Sequence, residues 1–548
     1  MAHALAGKPV QEQDIIDVQT IVDAYFDNVP DMTNSTQLVS FGTSGHRGTS
    51  VDGTFTDLHV AAITQAICDG RKQFGATGPI FVGQDTHALS QPALVTVLEV
   101  LAGNGVTAMV DCDMAFVPTP SVSRAIIRYN EEHDDKADGI IITPSHNPPD
   151  NGGIKYNTII GGPADTVVTK WIEMRANEYL TAYCESEDFK RISIDNIEPT
   201  AQVPYDYKGL YVEELGDVIN MEAIKAAGPK VLVDTLGGSG ASYWNAIKER
   251  YGLDLTIIHD DYDPTFSFMT YDHDGKVRMD CSSTYVMASV INRIGDFDLA
   301  VGNDPDYDRY GIVVSSGLIS ANTFLTLAAR YLFTTRGWKN KGVGKTVVCT
   351  TMIDKWAADA ETPVFEVPVG FKYFSQLLFD GAIGIGGEES AGASFLKKDG
   401  TVWTTDKDGM IMALLSMEIM AVMGKSALKM ADEFVEEFGN PSFGRIDAPC
   451  KKEQKQILKQ MSAELITATT VDGDPITNIR TTSLYNDMPI DGVRVETDKG
   501  WFVARPSGTE DLYKIYGESY KGDLGLVALL TVGEEIVNAA LNGTIETE

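Results

Sequence analysis

The sequence contains little cysteine. Six cysteines are scattered through 548 residues without a Cys-x-x-Cys pair, which argues against a disulfide framework, a cysteine-bound metal and a thiol redox motif. Long hydrophobic runs are also scarce. The most apolar long stretch, residues 410–423, is interrupted by Ser416 and Glu418 and predicts a buried helix. Residues 1–8 show no apolar secretion signal, so we expect a cytoplasmic protein without membrane partners.

Positive charge is in short supply as well. Lys and Arg total 44 against 78 Asp and Glu, which gives a formal net charge of −34. Such a surface repels a phosphate backbone and argues against nucleic acid as a partner. A small anionic substrate remains compatible if basic side chains are concentrated in one cleft. The hydrophobic fraction of 43% is that of a soluble globular protein, and the length predicts roughly three or four domains.

One loop combines a hydroxyl, an imidazole and an amine. The apolar residues 140–142 predict a strand, and the prolines and glycines between residues 144 and 153 prevent its continuation. Ser145 is therefore expected to be exposed just beyond the carboxyl end of a strand, where open α/β sheets place their chemistry. His146 and Lys155 could move protons or neutralise an anion there. The alternative interpretation is a polar surface turn.

The chain repeats an order of elements three times. After an amphipathic helix predicted over residues 12–28, each repeat alternates strands and helices, and its last strand leads into a polar loop. This alternation predicts mainly parallel α/β sheets. From about residue 440 the pattern changes to that of a smaller α+β domain. The predicted last strands are residues 139–142, 298–301 and 382–385; the third repeat begins with a strand over residues 345–349, and a closing helix covers residues 526–541.

The loop after the last predicted strand of the second repeat contains three carboxylates. Asp304, Asp306 and Asp308 alternate with Pro305 and Tyr307, so in an extended chain all three would point to one side. Like charges this close repel unless a cation lies among them, and oxygen ligands at this density suit a hard ion such as Mg²⁺. The alternative is a solvated acidic turn.

Other loops carry groups that suit a sugar phosphate. Arg47 lies in a glycine-rich turn and could pair with an anion, and Lys407 could add a second cation. Glu388 and Ser390 lie between glycines and could share hydrogen bonds with sugar hydroxyls. In the C-terminal domain, an arginine, two hydroxyls and a glycine follow a strand and could cradle a phosphate; these residues are Arg505, Ser507, Gly508 and Thr509. Each loop taken alone is also compatible with a plain turn.

Together these loops resemble the α-D-phosphohexomutase family, most closely its phosphoglucomutase branch. The resemblance extends from Gly42 to Glu510 and depends on motifs that occur in the family's order. These motifs are Thr143-Pro144-Ser145-His146-Asn147-Pro148, Asp304-Pro305-Asp306-Tyr307-Asp308-Arg309, Gly387-Glu388-Glu389-Ser390 and Arg505-Pro506-Ser507-Gly508-Thr509. Pro305 and Tyr307 stand where other branches often have glycine, which alters the loop's stiffness without altering its carboxylates.

The resemblance implies three related α/β domains and a C-terminal α+β domain around a central active-site cleft. The implied domains are residues 1–205 (catalytic phosphoserine), 206–320 (metal-binding), 321–438 (sugar-binding) and 439–548 (phosphate-binding). Ser145 would carry a phosphoryl group, and Mg²⁺ would be held by the three aspartates and a phosphoserine oxygen. Lys155 and Lys407 would be the acid/base candidates, with His146, Arg309 and Arg47 assisting.

The resemblance also implies the reaction. Glucose 1-phosphate and glucose 6-phosphate would interconvert through glucose 1,6-bisphosphate, with Glu388 and Ser390 on the sugar hydroxyls and Arg505, Ser507, Gly508 and Thr509 on the distal phosphate. Gly370 and Lys372 belong to the loop where the glucose branch sets specificity. Alternatives are a phosphomannomutase or phosphoglucosamine mutase, a serine phosphatase, and a non-catalytic sugar-phosphate-binding protein. The partner is a small hexose phosphate, and the chain is expected to be a monomer or homodimer.

Overall fold

The computed structural model describes residues 3–42, 44–184, 189–425, 427–508 and 512–542. The chain divides into two compact units. The first comprises Met1–Ala321, Phe374–Ala382 and Ser390–Leu428. The second comprises Asn322–Tyr373, Ile383–Glu389 and Lys429–Glu548.

The first sheet is mixed. Its six strands lie in the order β1-β5-β4-β2-β3-β6, with β2 parallel to β3 and β4, and β5 antiparallel to β1 and β4. The strands are fully buried where apolar residues such as Ile140 and Ile142 face the covering helices. The elements are α1 (Val18–Asp27), β1 (His46–Thr49), α2 (Asp57–Gly70), β2 (Ile80–Gln84), α3 (Ser90–Gly103), β3 (Ala108–Asp111), α4 (Thr119–Glu132), β4 (Asp138–Ile142), β5 (Asn151–Asn157), α5 (Thr166–Cys184) and β6 (Gln202–Tyr205).

The second sheet has five strands in the order β11-β10-β9-β7-β8. Strand β7 is parallel to β8 and β9, and β9 forms an antiparallel pair with β10. The loop between β9 and β10 carries the three aspartates. The elements are α6 (Tyr207–Val218), α7 (Met221–Ala227), β7 (Val231–Asp234), α8 (Ala241–Tyr251), β8 (Leu255–Ile258), α9 (Ala288–Ile291), β9 (Leu299–Asn303), β10 (Tyr310–Val314) and β11 (Gly317–Leu318).

The third repeat is divided between the two units. In the second unit, three parallel strands pair in the order β13-β12-β14. Helix α13, in the first unit, is buried over most of its length, as its sequence predicts, and begins at the N-cap Asp408. The elements are α10 (Ala321–Arg336), β12 (Gly342–Thr346), α11 (Met352–Asp359), β13 (Val364–Val367), α12 (Lys372–Phe379), β14 (Ile383–Gly387), β15 (Ala393–Phe395), α13 (Gly409–Met423) and α14 (Ala427–Phe438).

The C-terminal part of the second unit is an antiparallel sheet of six strands with two helices. Its order is β16-β21-β20-β19-β18-β17, and apolar residues of the two helices pack on one face to form a separate core. The elements are β16 (Ser442–Pro449), α15 (Lys452–Lys459), β17 (Thr470–Val471), β18 (Asp474–Thr482), β19 (Pro489–Thr497), β20 (Gly500–Pro506), β21 (Leu512–Ser519) and α16 (Gly522–Leu541).

Three sequence predictions need correction. The helix predicted over residues 12–28 is a 3₁₀ turn, Glu12–Asp14, followed by the shorter α1, which begins where Asp17 caps the backbone N–H groups of Gln19 and Thr20. The strand predicted over residues 345–349 ends at Thr346, because the chain turns there: the N–H of Cys349 donates to the carbonyl of Thr346 at 3.0 Å. Val347 and Val348 belong to a buried cluster with Ile490 and Trp501 of the C-terminal sheet.

The third correction concerns long apolar runs. Among the described residues, α16 is long and apolar enough by composition to cross a membrane, with a mean hydropathy of 1.6. In the structure, its residues Leu529, Leu530 and Val537 are buried in the core of the C-terminal sheet. One face of the helix is therefore packed on this sheet, whereas Leu524 and Val527 are exposed.

Candidate active site

Ser145 lies in the loop that follows β4, which we call the serine loop (residues 143–150). Its backbone has a positive φ of 59°, and its N–H donates a hydrogen bond of 2.7 Å to Oγ1 of Thr143. The prediction that Ser145 is exposed was wrong, because the side chain is 1% exposed. Burial follows from a partner distant in sequence: Oγ donates a hydrogen bond of 2.9 Å to Oδ2 of Asp304.

The three aspartates lie in the loop between β9 and β10, which we call the aspartate loop (residues 304–309). The prediction of an extended loop was wrong: the chain turns at residues 305–308, and Tyr307 has a positive φ of 61°. The turn nevertheless brings carboxylate oxygens of Asp304, Asp306 and Asp308 within 4.8 Å of one another, all buried.

Two lysines neutralise part of this charge. Nζ of Lys155 lies 2.6 Å from Oδ2 of Asp306 and 3.1 Å from Oδ2 of Asp308. Nζ of Lys407 lies 2.7 Å from the same oxygen of Asp308. Lys155 reaches this position because β5 pairs with β4 in a register that sets it opposite Ile141. The serine loop and its lysine therefore belong to one hairpin.

The pKa values of the aspartates diverge. Burial, and then the neighbouring charges of Asp306 and Asp308, raise the pKa of Asp304 well above its usual range. Burial also opposes ionisation of Asp308, but the ammonium groups of Lys155 and Lys407 outweigh it and hold the pKa of Asp308 low. For Lys155, burial favours the neutral amine, yet the two carboxylates outweigh that effect and raise its pKa.

The aspartate loop fits a divalent cation. Within the part of the chain that the structure describes, Oδ1 of Asp306 and Oδ1 of Asp308 are buried without a hydrogen-bond partner. Buried carboxylate oxygens are normally satisfied, so these two are free to act as ligands. An all-oxygen donor set of three carboxylates is what a hard cation such as Mg²⁺ prefers.

Basic groups lie beside and within the serine loop. Nη1 of Arg47 donates a hydrogen bond of 3.4 Å to Oδ1 of Asn147. Within the loop, Nδ1 of His146 lies 3.4 Å from Oγ of Ser145. Arg309, at the end of the aspartate loop, lies with Nη1 3.5 Å from Oδ2 of Asp280. Burial, and then the charge of Arg309, hold the pKa of His146 well below its usual range, so its imidazole is neutral.

Sequence reasoning missed Asp280. Its Oδ2 lies 3.9 Å from Nε2 of His146 and also faces Arg309. The next residue toward the N-terminus, Met279, donates its N–H to the carbonyl of His146 at 3.2 Å. No glycine or proline pattern marks this segment, so the sequence contained no signal for it.

Sequence reasoning also missed a buried pair behind the serine loop. Oδ2 of Asp85 accepts hydrogen bonds from Oγ1 of Thr143 at 2.6 Å and from Nδ1 of His87 at 2.8 Å. Nε2 of His87 donates to the carbonyl of Asn147 at 3.0 Å. This pair thus holds the serine loop on both sides of Ser145. A signal existed, since Asp85 directly follows β2, the parallel neighbour of β4.

A third missed residue precedes Lys407. Asp406 accepts a hydrogen bond of 2.9 Å from Nδ2 of Asn157, at the end of β5. Its other oxygen accepts the backbone N–H of Lys407 at 2.8 Å. Asp406 thus connects the strand that carries Lys155 to the segment that carries Lys407.

The remaining predicted residues lie in or near loops that connect strands and helices. Ser390 is half-buried in the first unit. In the second unit, Glu388 directly follows β14 and is 6% exposed, Gly370 lies between β13 and α12, and Lys372 is the first residue of α12. Also in the second unit, Arg505 lies in β20 and is buried with Ser507, and Gly508 is exposed. Thr509 lies outside the described residues. The roles of all these residues stay predictions.

Family models cover most of the chain. Four domain models of phosphoglucomutase/phosphomannomutase match in order: domain I over residues 38–182, domain II over 210–317, domain III over 320–438 and the C-terminal domain over 447–524. The first three are described as alpha/beta/alpha domains. The predicted fold class of three related α/β domains and a different C-terminal domain is confirmed.

Individual relatives agree with these models. The chain is 46% identical over 539 residues to a phosphoglucomutase of Komagataeibacter xylinus, covering 97% of both chains. A putative phosphomannomutase structure from Thermus thermophilus matches with a TM-score of 0.71 at 23% identity, covering 91% of this chain and 99% of that one. The open form of Paramecium pp63/parafusin, a phosphoglucomutase, also matches with a TM-score of 0.71, at 20% identity and covering 94% and 96%. The two structures support the fold.

Proposed function

Because the chain belongs to the phosphoglucomutase/phosphomannomutase family, we propose that it is a phosphoglucomutase that interconverts glucose 1-phosphate and glucose 6-phosphate. The identity of 46% over nearly the whole length of a phosphoglucomutase supports the reaction. The observation that carries the mechanism is the hydrogen bond between Ser145 and Asp304. This bond supports the proposal because it joins the hydroxyl of Ser145 to a cluster of carboxylates that suits a cation.

The aspartate loop would hold Mg²⁺ through Asp304, Asp306 and Asp308, together with a phosphoryl oxygen on Ser145. The ion would supply positive charge to the oxygens of the transferring phosphoryl group, whose negative charge otherwise opposes transfer. A phosphoserine carries about −1.5 to −2 charges, so positive charge is needed when a second phosphorylated group approaches.

In the first step, O6 of glucose 1-phosphate attacks phosphorus on phosphorylated Ser145. The bond from phosphorus to O6 forms as the bond to Oγ breaks, and Oγ recovers one proton while O6 loses one, so the step takes up no net proton. Two carboxylates raise the pKa of Lys155 against the opposing effect of burial, so this residue is present as an ammonium that can stabilise the leaving Oγ and protonate it. Lys407 is the second candidate for proton transfer.

In the second step, the bisphosphate presents its other end. Oγ of Ser145 attacks the phosphoryl group on O1, and glucose 6-phosphate leaves. Oγ needs the same orientation in both steps. The serine loop provides this orientation because Asp85 and His87 hold the loop on both sides of Ser145. Arg47 and Arg309 border the loop and would neutralise phosphoryl oxygens.

Residues outside the serine and aspartate loops are proposed to bind the parts of the sugar that do not react. Glu388 and Ser390 are proposed for the sugar hydroxyls, and Gly370 and Lys372 for specificity. Arg505, Ser507, Gly508 and Thr509 are proposed for the distal phosphate. Glucose 1,6-bisphosphate is the proposed intermediate and activator, and a hexose phosphate in the cytoplasm the proposed partner.

Mass spectrometry of the intact protein tests the proposal. We expect one phosphoryl group after incubation with glucose 1,6-bisphosphate, mapped to the peptide that contains Ser145 and absent from Ser145→Ala. Initial rates on glucose, mannose and glucosamine 1-phosphates then test the sugar, with glucose expected to react fastest. Inorganic phosphate released as fast as the isomer forms would indicate a phosphatase instead, and a fully active Ser145→Ala would overturn the mechanism.

A further inference from the structure

Tyr307 occupies an unusual position for an aromatic residue. It lies between Asp306 and Asp308, its side chain is completely buried, and its backbone has a φ of 61°. A left-handed conformation costs a residue with a side chain about 1–2 kcal/mol relative to glycine. An aromatic residue at such a position therefore implies that the ring provides a compensating contact.

The ring packs against a glycine turn. The segment from Gly238 to Gly240 precedes α8, and a Cβ added at Gly238 would come within 2.9 Å of the ring of Tyr307. A Cβ at Gly240 would overlap the same ring. Ser239, between these glycines, donates hydrogen bonds of 2.8 Å from both its backbone N–H and its Oγ to the carbonyl of Pro305. The turn and the ring are thus fitted to each other.

Backbone contacts fix the rest of the aspartate loop. The N–H of Thr119, at the start of α4, donates to the carbonyl of Asp306 at 2.9 Å. The N–H of Gly409, at the start of α13, donates to the carbonyl of Tyr307 at 2.9 Å. The loop is therefore held by the beginnings of three helices. Side chains add to this, since Oγ1 of Thr119 donates a hydrogen bond of 3.0 Å to Oδ2 of Asp306, and the ring of Tyr307 packs at the residue between Asp306 and Asp308.

The negative charges of the aspartate loop push its three carboxylates apart, so other contacts must keep them close together. Three buried carboxylates within 4.8 Å of one another repel each other. Lys155 and Lys407 offset part of this repulsion, because they pair with Asp306 and Asp308. A loop with glycine at position 307 would have more backbone freedom and could spread until a cation drew the carboxylates together.

We propose that Tyr307 is a positioning residue for the cation site: its ring, lodged against Gly238 and Gly240, keeps the three carboxylates converged before a divalent cation binds. The inference rests on the proposed cation site and adds to it a residue that is not itself a ligand. The ring, and not the hydroxyl, carries the effect. The hydroxyl lies without a hydrogen-bond partner among the described residues, and the neighbouring Trp244 donates its indole N–H to Asn303.

Calorimetric titration of the full-length protein with Mg²⁺ tests this directly. Tyr307→Phe keeps the ring, so its dissociation constant should stay within about twofold of the parent value. Tyr307→Gly removes the ring and should bind Mg²⁺ about 10-fold more weakly or worse, as changes next to metal ligands commonly do. Gly240→Ala displaces the ring without removing it and should weaken binding in the same direction.

Two controls separate positioning from general stability. Leu98→Ala truncates a core residue of α3, in a cluster that contains no residue of the aspartate loop, and should lower the thermal midpoint without changing the Mg²⁺ constant. Asp304→Asn should abolish binding. If the parent binds Mg²⁺ and Asp304→Asn does not, but Tyr307→Gly and Gly240→Ala both bind like the parent, the inference about Tyr307 is wrong. If the parent itself binds no Mg²⁺, the proposed cation site fails, and the inference fails with it.

Discussion

Oγ of Ser145 donates a hydrogen bond of 2.9 Å to Oδ2 of Asp304, across a separation of 159 residues. The serine follows β4 of the first sheet and the aspartate follows β9 of the second. Two repeated α/β domains thus contribute one group each to a single contact within the first unit. Neither domain alone would contain both the proposed nucleophile and the candidate cation ligands, so the proposed chemistry requires both domains.

Asp304→Asn should raise the unfolding midpoint of the metal-free protein. Burial and the neighbouring Asp306 and Asp308 raise the pKa of Asp304 well above its usual range, so its charge destabilises the folded state at neutral pH. The variant should also lose stabilisation by Mg²⁺, which for the parent amounts to about 2.7 kcal/mol at 100 times the dissociation constant. Thermal unfolding with and without Mg²⁺ measures both effects. A variant that Mg²⁺ stabilises as much as the parent would contradict this prediction.

Lys155→Met should destabilise the metal-free protein by about 3–5 kcal/mol, because removal of one partner leaves buried charges on Asp306 and Asp308 uncompensated. Urea unfolding measures the change. Mg²⁺ should restore part of the loss by supplying positive charge at the same carboxylates, whereas activity should remain low. Lys155→Arg retains the charge and should be destabilised less. Equal destabilisation of both variants would indicate that side-chain shape, and not charge, is what matters.

His87→Gln should reveal a pH-dependent contribution. Burial disfavours the imidazolium of His87, but Asp85 outweighs it and raises its pKa above the usual 6.5. A raised histidine pKa stabilises the folded state below the unfolded pKa, and this stabilisation is lost as the pH rises through the folded value. The difference in unfolding free energy between parent and variant should therefore be largest near pH 6 and shrink toward pH 9.

Urea unfolding at several pH values checks this difference. The control is His133→Gln, which also removes an imidazole, but one that is exposed at the end of α4. A difference for His87→Gln that grows with pH would contradict the assignment. Because His87 holds the carbonyl of Asn147, the variant should also have a lower kcat with a smaller change in KM.

Asp408→Asn should gain stability relative to the parent as the pH rises, in the same direction as His87→Gln but at lower pH. Burial raises the pKa of Asp408 to about 6, although Trp403, the N-terminal backbone of α13 and Tyr211 donate hydrogen bonds to it. A carboxyl whose folded pKa is raised costs stability as the pH rises from the unfolded value through the folded one. The variant should gain on the order of 2–3 kcal/mol relative to the parent between pH 4 and pH 7. A constant difference over that range would show that the carboxylate is fully accommodated.

The sequence was sufficient to predict those strands, helices and loops that are defined by a local residue pattern. The strand predicted over residues 139–142 makes up all but the first residue of β4, and the closing helix predicted over residues 526–541 ends where α16 ends. Ser145 and the three aspartates were found because each follows an apolar strand and departs from its pattern. The buried helix α13 followed from its nearly uninterrupted apolar residues.

What the sequence could not supply depends on contacts between distant segments. The burial of Ser145 required the packing of the aspartate loop against it, and Asp280 reaches His146 from a segment without a local motif. The turn at Tyr307 escaped prediction because a positive φ is rare for an aromatic residue, and its cause lies in Gly238 and Gly240, some 70 residues earlier in the chain.

The pairing of Lys155 with Ile141 makes the position of this proposed proton donor depend on the assembly of the first sheet. Side chains alternate along a strand, so a shift of β5 by one residue would turn Ile154 toward the aspartates and Lys155 toward the apolar side. A hairpin with that register would place an apolar side chain against two carboxylates and bury an amine in the core. The charges of the aspartate loop therefore penalise the wrong register, and the register that they favour is the one that brings Lys155 to its proposed catalytic position.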